Sequence, residues 1–164
     1  MNWPLLVVGV VALQRLGELV WAERNTRALL RRGAVEHGRA HYPAIVGLHV
    51  AWFAAILATL PADATIHGLP LAGMIVLQAM RFWVLASLGP WFTTRIVTLD
   101  AAPLVKRGPY RFVRHPNYAV VVGEIALLPL VFGQVAVAIV FTILNAAMLA
   151  WRIRAENAAL ASRR

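Results

Sequence analysis

Four long apolar runs most constrain what this chain can fold into. The first three extend from Trp3 to Trp21, from Ala44 to Leu60 and from Leu69 to Leu88, and the fourth extends from Tyr118 to Trp151. A helix needs about 20 apolar residues to cross about 30 Å of hydrocarbon. Because lipid leaves no water to satisfy free backbone groups, such runs in a membrane must be helical. The pattern predicts an all-α, polytopic membrane helix bundle.

Composition and charge indicate the same class. Of the 164 residues, 60% are hydrophobic and 14% are charged, which lies outside the usual fractions for a soluble domain. The length leaves room for one domain, so we expect residues 1–164 to form a single integral membrane domain. The net charge is +9, and the basic residues cluster between the apolar runs. This distribution favours contact with anionic membrane lipids over contact with nucleic acid. No basic residue precedes the first run, so we expect a membrane helix there rather than a cleaved signal peptide.

The fourth apolar run is long enough for more than one helix. Pro129 and the pair Gly133-Gln134 interrupt it, and its length fits two short spans or one span with a re-entrant piece. We predict two spans, which gives about five transmembrane helices in the chain. The sequence RIRAENAAL after Trp151 is rich in helix formers and is predicted to form a C-terminal cytoplasmic helix.

The distribution of basic residues predicts the orientation in the membrane. Connections 22–43 and 89–117 carry five Lys or Arg residues each, and the tail after Trp151 carries four. Connections 61–68 and 133–135 carry none. Because cytoplasmic loops are enriched in Lys and Arg, five spans would place every basic segment in the cytoplasm and the N-terminus outside.

The segment 107–118, RGPYRFVRHPNY, stands at the start of the fourth run. Proline suits the first turn of a helix and pushes the preceding residue out of the helical region, so Pro116 should begin a helix. The free N–H groups of that helix end, with Arg111, Arg114 and His115 beside it, would form a site for a carboxylate or phosphate. Alternatively, these arginines only anchor the chain to lipid headgroups.

The tail offers a second set of polar groups on the same side. Arg152 and Glu156 are four residues apart, and an ion pair on a solvated helix is the expected role of these two residues taken alone. Glu156 and Asn157 could instead bind a cationic or ribose-bearing ligand. The local pattern leaves both roles open.

Charged residues within apolar runs are costly and by default mark functional sites. Arg15 and Glu18 lie three residues apart on one helix face, and Arg81 could pair with Glu124 across the bundle. Structural pairing and catalysis are alternatives for all four. His49 is expected to be a hydrogen-bonded packing residue. Since no set of His, Asp or Glu residues is clustered as in a metal site, no metal is predicted.

Two motifs together resemble those of a known family. LVKRGPYRFVRHPNY has the form G-x-Y-x-x-x-R-H-P-x-Y, and RIRAENAAL is similar to the form R-I-x-x-E-E-x-x-L. The pair resembles the isoprenylcysteine carboxyl methyltransferase family, whose members are integral membrane enzymes that use S-adenosylmethionine. The resemblance covers residues 83–160. It implies a multi-pass protein of a bacterial cell membrane with its cofactor site facing the cytoplasm.

The resemblance also implies the site residues. Carried over by position, the cofactor-binding residues are Tyr110, Arg114, His115, Pro116, Tyr118 and Glu156. The second acid of the usual Glu-Glu pair is Asn157 here, and its amide can still bind ribose hydroxyls. The candidate catalytic residues are Arg114, which could orient an anionic acceptor, and His115 and Glu124, which could remove a proton from a hydroxyl acceptor.

The N-terminal half bears on the methyl acceptor. ERNTRALLRRGAVEHGRAHYP resembles a bacterial branch of the family associated with type III polyketide synthases. Members of that branch methylate hydroxyl groups of long-chain alkylpyrones or alkylresorcinols. This resemblance implies a lipophilic hydroxylated substrate that enters from the bilayer, with a prenylcysteine-type carboxylate as the other acceptor class.

Two other functions remain open on sequence alone. Membrane sterol reductases and their relatives also carry an RHPNY-like element near an NADPH site, although their chains are usually longer and have more spans. A non-enzymatic membrane scaffold would use the motif only for topology and packing. Binding of S-adenosylmethionine, of NADPH or of neither would separate the three functions.

Overall fold

The computed structural model describes residues 2–39, 42–99, 102 and 105–159. Its helices and strands are, in chain order, α1 (Trp3–Arg31), β1 (Val35–His37), α2 (Tyr42–Ala58), α3 (Gly68–Leu88), β2 (Ile96–Thr98), α4 (Pro116–Val131) and α5 (Val135–Ala159). Short 3-10 turns follow α3 at Gly89–Trp91 and precede α4 at Gly108–Arg111. The predicted helical architecture is confirmed, and the short strands β1 and β2 add a two-stranded sheet that the sequence analysis did not predict.

Three of the helices in the described chain are long and apolar enough to cross a membrane. They are α1, α3 with the turn that follows it, and α5. The helices α2 and α4 are apolar but contain only 17 and 16 residues, fewer than the about 20 that cross the hydrocarbon core. Leu13 on α1 and Ile143 on α5 are 70% and 64% exposed, as suits surfaces that face lipid chains. The exact number of spans stays a prediction.

The helices α1 and α5 both continue past the ends of the predicted spans. The first extends beyond Trp21 to Arg31. The last passes Trp151 without a break and is described as far as Ala159, so the predicted C-terminal helix is a continuation of α5 rather than a separate element. Neither extension contains Pro or Gly, and their Ala, Leu, Glu and Arg residues have high helix propensity. The backbone hydrogen bonds of both helices therefore continue beyond the apolar runs.

Two helices occupy the fourth apolar run, as predicted. Gly133 adopts a φ of +73° between α4 and α5, in the left-handed region that favours glycine and ends a helix. The amide of Gln134 donates to the Ile56 carbonyl at 2.8 Å and to Thr59 Oγ1 at 3.0 Å. These bonds tie the turn between α4 and α5 to the end of α2.

Contacts between the connections define two ends of the bundle. At one end, β1 pairs antiparallel with β2, and Arg152 on α5 donates to the Thr94 carbonyl at 2.8 Å. This end, which holds the C-terminal ends of α1, α3 and α5 and the start of α4, is called the basic end below. At the opposite end, the N–H group of His67 donates to the Val131 carbonyl at 2.9 Å. The helix bundle therefore brings the Arg-rich connections together.

Four charged side chains meet inside the bundle. Both predicted pairs are confirmed, since a guanidinium nitrogen of Arg15 lies 2.9 Å from the Glu18 carboxylate and one of Arg81 lies 3.3 Å from the Glu124 carboxylate. The pairs are also joined, because Arg15 contacts Glu124 and Arg81 lies 3.3 Å from Glu18. These four residues are called the ion cluster. Its charges balance, which offsets the cost of removing each of them from water.

Three other polar side chains in the bundle, Gln14, Gln78 and His49, are also hydrogen-bonded. Gln14 and Gln78 donate to the two carboxylates of the ion cluster, each at 3.0 Å. Nδ1 of His49 lies 2.9 Å from the Ile45 carbonyl oxygen, and the imidazole stands edge-on to the Trp52 ring. The prediction that His49 is a hydrogen-bonded packing residue is confirmed.

We predict that the two ends of the bundle are reached from opposite sides of the membrane. The chain has no cysteine, so Asp63→Cys and Arg111→Cys each introduce one thiol at an exposed position. An impermeant maleimide added to intact cells should label the Asp63 variant, and it should label the Arg111 variant only after the membrane is opened. The physical reason is the retention of Lys-rich and Arg-rich segments in the cytoplasm. Labelling of both variants from the same side would contradict the predicted orientation.

Candidate functional site

The segment 107–118 is held against the last turns of α3. Arg107 Nε donates to the Ser87 carbonyl at 2.8 Å. Gly108 follows with a φ of +58°, and a Cβ atom there would lie 2.0 Å from Ser87 Oγ and 3.2 Å from Trp83 Nε1. Glycine suits both this backbone conformation and this close approach. The loop is therefore positioned by α3 before it reaches α4.

The helix α4 begins where the sequence predicts. Pro116 is its first residue, and His115 precedes it with an extended φ of −128°. The His115 carbonyl accepts hydrogen bonds from the N–H groups of Tyr118 and Ala119 at 3.1 and 3.3 Å. Pro116 has no N–H group, and the aligned peptide dipoles of α4 give its N-terminus a partial positive charge. In α4 that charge lies at the basic end.

A cavity of about 570 Å³ opens at the basic end, between the connection that follows α3, the start of α4 and the end of α5. Its volume lies within the about 300–1,000 Å³ typical of small-molecule sites. Leu29, Leu88 and the strand β2 contribute apolar surface. Its polar lining consists of Thr93, Arg95, Thr98, Lys106, Tyr110, Arg114, His115, Asn117, Tyr118, Arg152 and Glu156. An apolar wall with converging polar groups is typical of a site that binds an amphipathic ligand.

Tyr118 joins the two sequence motifs. Its hydroxyl donates to the Glu156 carboxylate and accepts from Arg152 Nε at 2.8 Å. The Arg152 guanidinium lies 5.6 Å from the centre of the Tyr118 ring and also donates to the Thr94 carbonyl. The His115 imidazole stacks on Tyr118 with ring centres 5.1 Å apart, and its Nδ1 lies 3.9 Å from a Glu156 oxygen. Tyr118, Arg152 and Glu156 are called the tyrosine junction below.

The cavity brings together most of the predicted site residues. Those that line it are Tyr110, Arg114, His115, Tyr118 and Glu156. Pro116 begins α4 next to them, and Asn157 follows Glu156 on α5 without being part of the described lining. Glu124 lies further along α4 in the ion cluster and does not line the cavity. The chemical roles of these residues stay predictions.

The sequence analysis missed Arg152, Asn117 and Arg95 as cavity residues. The expectation of a solvated ion pair is wrong for Arg152, because its side chain is buried and donates to the Tyr118 hydroxyl. Its spacing from Glu156 correctly indicated that the two lie close together. That spacing could not reveal that a tyrosine from α4 stands against both. Asn117 stands inside the motif, but Arg95 lies in a connection with no recognisable pattern.

The described lining of the cavity carries an excess of positive charge. Arg95, Lys106, Arg114 and Arg152 contribute cationic groups, and Glu156 contributes a carboxylate. Arg95 is also paired with acidic groups of α1 and β1 at 3.4 Å. The remaining cations and the N-terminus of α4 favour a ligand that presents a carboxylate or another anionic oxygen.

Tyr110 adds a neutral hydrogen-bonding group to this charged lining. Burial raises the pKa of its phenol above the usual value, and the nearby Glu156 carboxylate raises that pKa further. An ordinary tyrosine is already protonated at neutral pH, so Tyr110 keeps its proton throughout the physiological range. Its hydroxyl can therefore both donate and accept a hydrogen bond in the cavity.

Comparisons with known proteins agree with the two-motif pattern. Residues 69–162 match the model of the isoprenylcysteine carboxyl methyltransferase (ICMT) family. Among curated proteins, the chain is 37% identical over 159 residues to the uncharacterized protein YpbQ of Bacillus subtilis, covering 94% of this chain and 95% of that protein. It is 28% identical over 142 residues to an uncharacterized protein of Haemophilus influenzae, covering 84% of this chain and 83% of that one. No solved structure matches the chain.

We predict that Gly108→Ala disrupts the cavity. The new Cβ would overlap Ser87 and strain a left-handed backbone, and together these effects should lower the free energy of unfolding by about 2–4 kcal/mol. Gly33→Ala is the matched control, because Gly33 also has a positive φ of +86° but a Cβ there meets nothing within 4 Å. Its cost should be only about 1 kcal/mol. Equal unfolding midpoints for the two variants in detergent would contradict the packing of this loop on α3.

Proposed function

The chain belongs to the isoprenylcysteine carboxyl methyltransferase family of membrane methyltransferases, and on that premise we propose that it is an S-adenosylmethionine-dependent O-methyltransferase of a membrane-embedded lipophilic acceptor. The observation that carries the proposal is the tyrosine junction. It joins the RHPNY motif at the start of α4 to the RIRAEN motif at the end of α5, on the wall of one cavity. A function in topology alone would not require these two motifs to share a cavity.

The polar groups of the cavity fit the groups of S-adenosylmethionine. Arg114 and the N-terminus of α4 suit its carboxylate. Glu156 suits its ammonium group or its ribose hydroxyls, and Asn157 is a further candidate for the ribose. Tyr110 and Tyr118 offer aromatic rings for the adenine or the sulfonium. The family uses this cofactor, and these residues are the ones that would hold it here.

The mechanism needs orientation more than covalent chemistry from the protein. The cofactor, when bound, supplies a methyl group on a positively charged sulfur, and transfer is an in-line displacement by an acceptor oxygen. Residues around the cavity would align the acceptor and exclude water, and both effects raise the rate of such a step. Its apolar wall would receive the lipid part of the acceptor from the bilayer, while its polar side faces the cytoplasm in the predicted orientation.

Two predicted groups could accept the proton of a hydroxyl acceptor. A phenol has a pKa near 10 and needs a base at neutral pH, whereas a more acidic hydroxypyrone needs less assistance. His115 stands at the cavity, 3.9 Å from the Glu156 carboxylate. Glu124 is engaged with two arginines in the ion cluster. We therefore favour His115 as the base and Arg114 as the cationic group that orients the acceptor oxygen.

The N-terminal half of the chain supports a choice of acceptor class. That half resembles the branch whose members methylate long-chain alkylpyrones or alkylresorcinols, so we propose a hydroxylated aromatic or pyrone lipid rather than a prenylated cysteine. The cationic lining suits an enolate or a phenolate, and it also suits a carboxylate. Only an assay with both acceptor classes separates these possibilities.

We predict that the two motifs contribute separately to cofactor affinity. Replacing Arg114 or Glu156 by Ala removes a charge-assisted contact of about 1.5–3 kcal/mol, which should weaken S-adenosylmethionine binding about ten-fold or more. Isothermal titration calorimetry on the purified protein in detergent measures the effect. Arg24→Ala and Arg154→Ala are matched controls, because both arginines are exposed and lie outside the cavity lining.

The controls should bind the cofactor as the wild type does. Unchanged affinity in folded Arg114→Ala and Glu156→Ala variants would refute the cofactor assignment. Tight binding of NADPH, with no binding of S-adenosylmethionine by the wild type, would instead favour a membrane reductase. Absence of binding of either cofactor would favour a scaffold.

We predict ether formation on a hydroxylated lipid. The purified enzyme is incubated with labelled S-adenosylmethionine and, in parallel, with an alkylpyrone, an alkylresorcinol or a farnesylated cysteine analogue. Labelled methyl ether should form on at least one hydroxylated lipid, and the pyrone should react faster at neutral pH because its hydroxyl ionises more readily. Methyl ester on the cysteine analogue, without ether on either hydroxylated lipid, would overturn the acceptor and leave the methyltransferase assignment in place.

A further inference from the structure

Arg81 connects the ion cluster to the wall of the cavity. It lies on α3 and is 2% exposed. Two of its guanidinium nitrogens lie 3.3 Å from the Glu18 and Glu124 carboxylates. Its NH1 group donates to Asn117 Oδ1 at 3.0 Å. Because the two carboxylates fix its position, this guanidinium is a donor with little freedom to move.

Asn117 occupies the second position of α4, between the two motif residues Pro116 and Tyr118. It also lines the cavity. Asn117 and Glu124 are seven residues apart, so they lie on the same face of α4 and are both within reach of one side chain from α3. Arg81 contacts both of them, and this double contact fixes the first turn of α4 relative to α3.

The bond also determines how the Asn117 amide is oriented. A guanidinium carries only donors, so the amide must turn its oxygen toward Arg81. The NH2 group of Asn117 then points away from Arg81, and because Asn117 lines the cavity this group could donate to an oxygen of a bound ligand. Without Arg81, the amide could flip and present its oxygen to an anionic ligand instead.

We propose that Arg81 is a positioning residue for methyl transfer, which acts through Asn117 on the first turn of α4 and on the direction of the Asn117 amide. This inference rests on the proposed function of the cavity. Arg81 lies inside the helix bundle and is not among the residues that line the cavity. The inference nevertheless gives it a role at that site. Its effect on catalysis should therefore depend on the presence of Asn117.

The test is a double-mutant cycle between Arg81→Lys and Asn117→Ala. Lysine keeps the positive charge next to Glu18 and Glu124, but its single ammonium group cannot also reach Asn117 as the planar guanidinium does. Each single variant should reduce kcat/KM for S-adenosylmethionine about ten-fold, mainly through KM, and Asn117→Ala should do so with an unchanged unfolding midpoint. The double variant should lose no more than the worse single variant, since both changes remove the same bond.

A matched control uses another polar residue that binds the ion cluster. Gln14 donates to Glu18 and to Gln78, so Gln14→Leu removes bonds of the ion cluster without touching Asn117. Its kcat/KM should stay close to that of the wild type. A loss in Gln14→Leu as large as in Arg81→Lys would overturn the inference, because the ion cluster would then act only through general packing.

Additive losses, about a hundred-fold in the double variant, would also overturn the inference. Asn117→Ala leaves the ion cluster intact, so it tests the link even if Arg81→Lys folds poorly. A wild-type kcat/KM in Asn117→Ala would show that the bond does not serve catalysis. Failure of the proposed function is a different result, in which the wild type neither binds S-adenosylmethionine nor methylates any acceptor.

Discussion

The charge balance of the ion cluster is the constraint on which the rest of the bundle depends. Two arginines and two glutamates lie mostly buried inside the bundle, so each charge needs a partner, and the loss of one member leaves another uncompensated. Arg15 and Glu18 belong to α1, Arg81 to α3 and Glu124 to α4. In lipid, the hydrophobic effect contributes little to the association of helices, and polar contacts and close packing stabilise the bundle instead. The ion cluster thus sets the relative positions of three helices.

The helix α3 connects the ion cluster to the segment that lines the cavity. In its middle, Arg81 holds the first turn of α4 through Asn117. At its end, Ser87 accepts from Arg107 and packs against Gly108. Both ends of the segment 107–118 are therefore held against α3. A loop between two helices would otherwise sample many conformations, and a functional site needs its groups held within about 0.5 Å.

The tyrosine junction connects α4 to α5 at the cavity wall. The extension of α5 past the apolar run brings Arg152 and Glu156 to the Tyr118 hydroxyl. Arg152 also donates to the connection that follows α3. Two motifs that are more than thirty residues apart in the chain therefore share one hydroxyl group. This shared contact gives the two motifs a common structural role in this protein.

The sequence by itself determined the helical membrane class, the start of α4 at Pro116, the break near Gly133 and the Arg15–Glu18 pair on one face of α1. Each depends on local chemistry, namely apolar length, proline and glycine geometry, and the cost of burying charge. It also placed Tyr110, Arg114, His115, Tyr118 and Glu156 among the candidate site residues through a family resemblance. Only the tertiary structure decided that α5 continues to Ala159, that Arg152 is buried against Tyr118, that β1 pairs with β2 and that Arg81 reaches Asn117. These features depend on which side chains from distant segments come into contact, and periodicity along one chain does not encode that information.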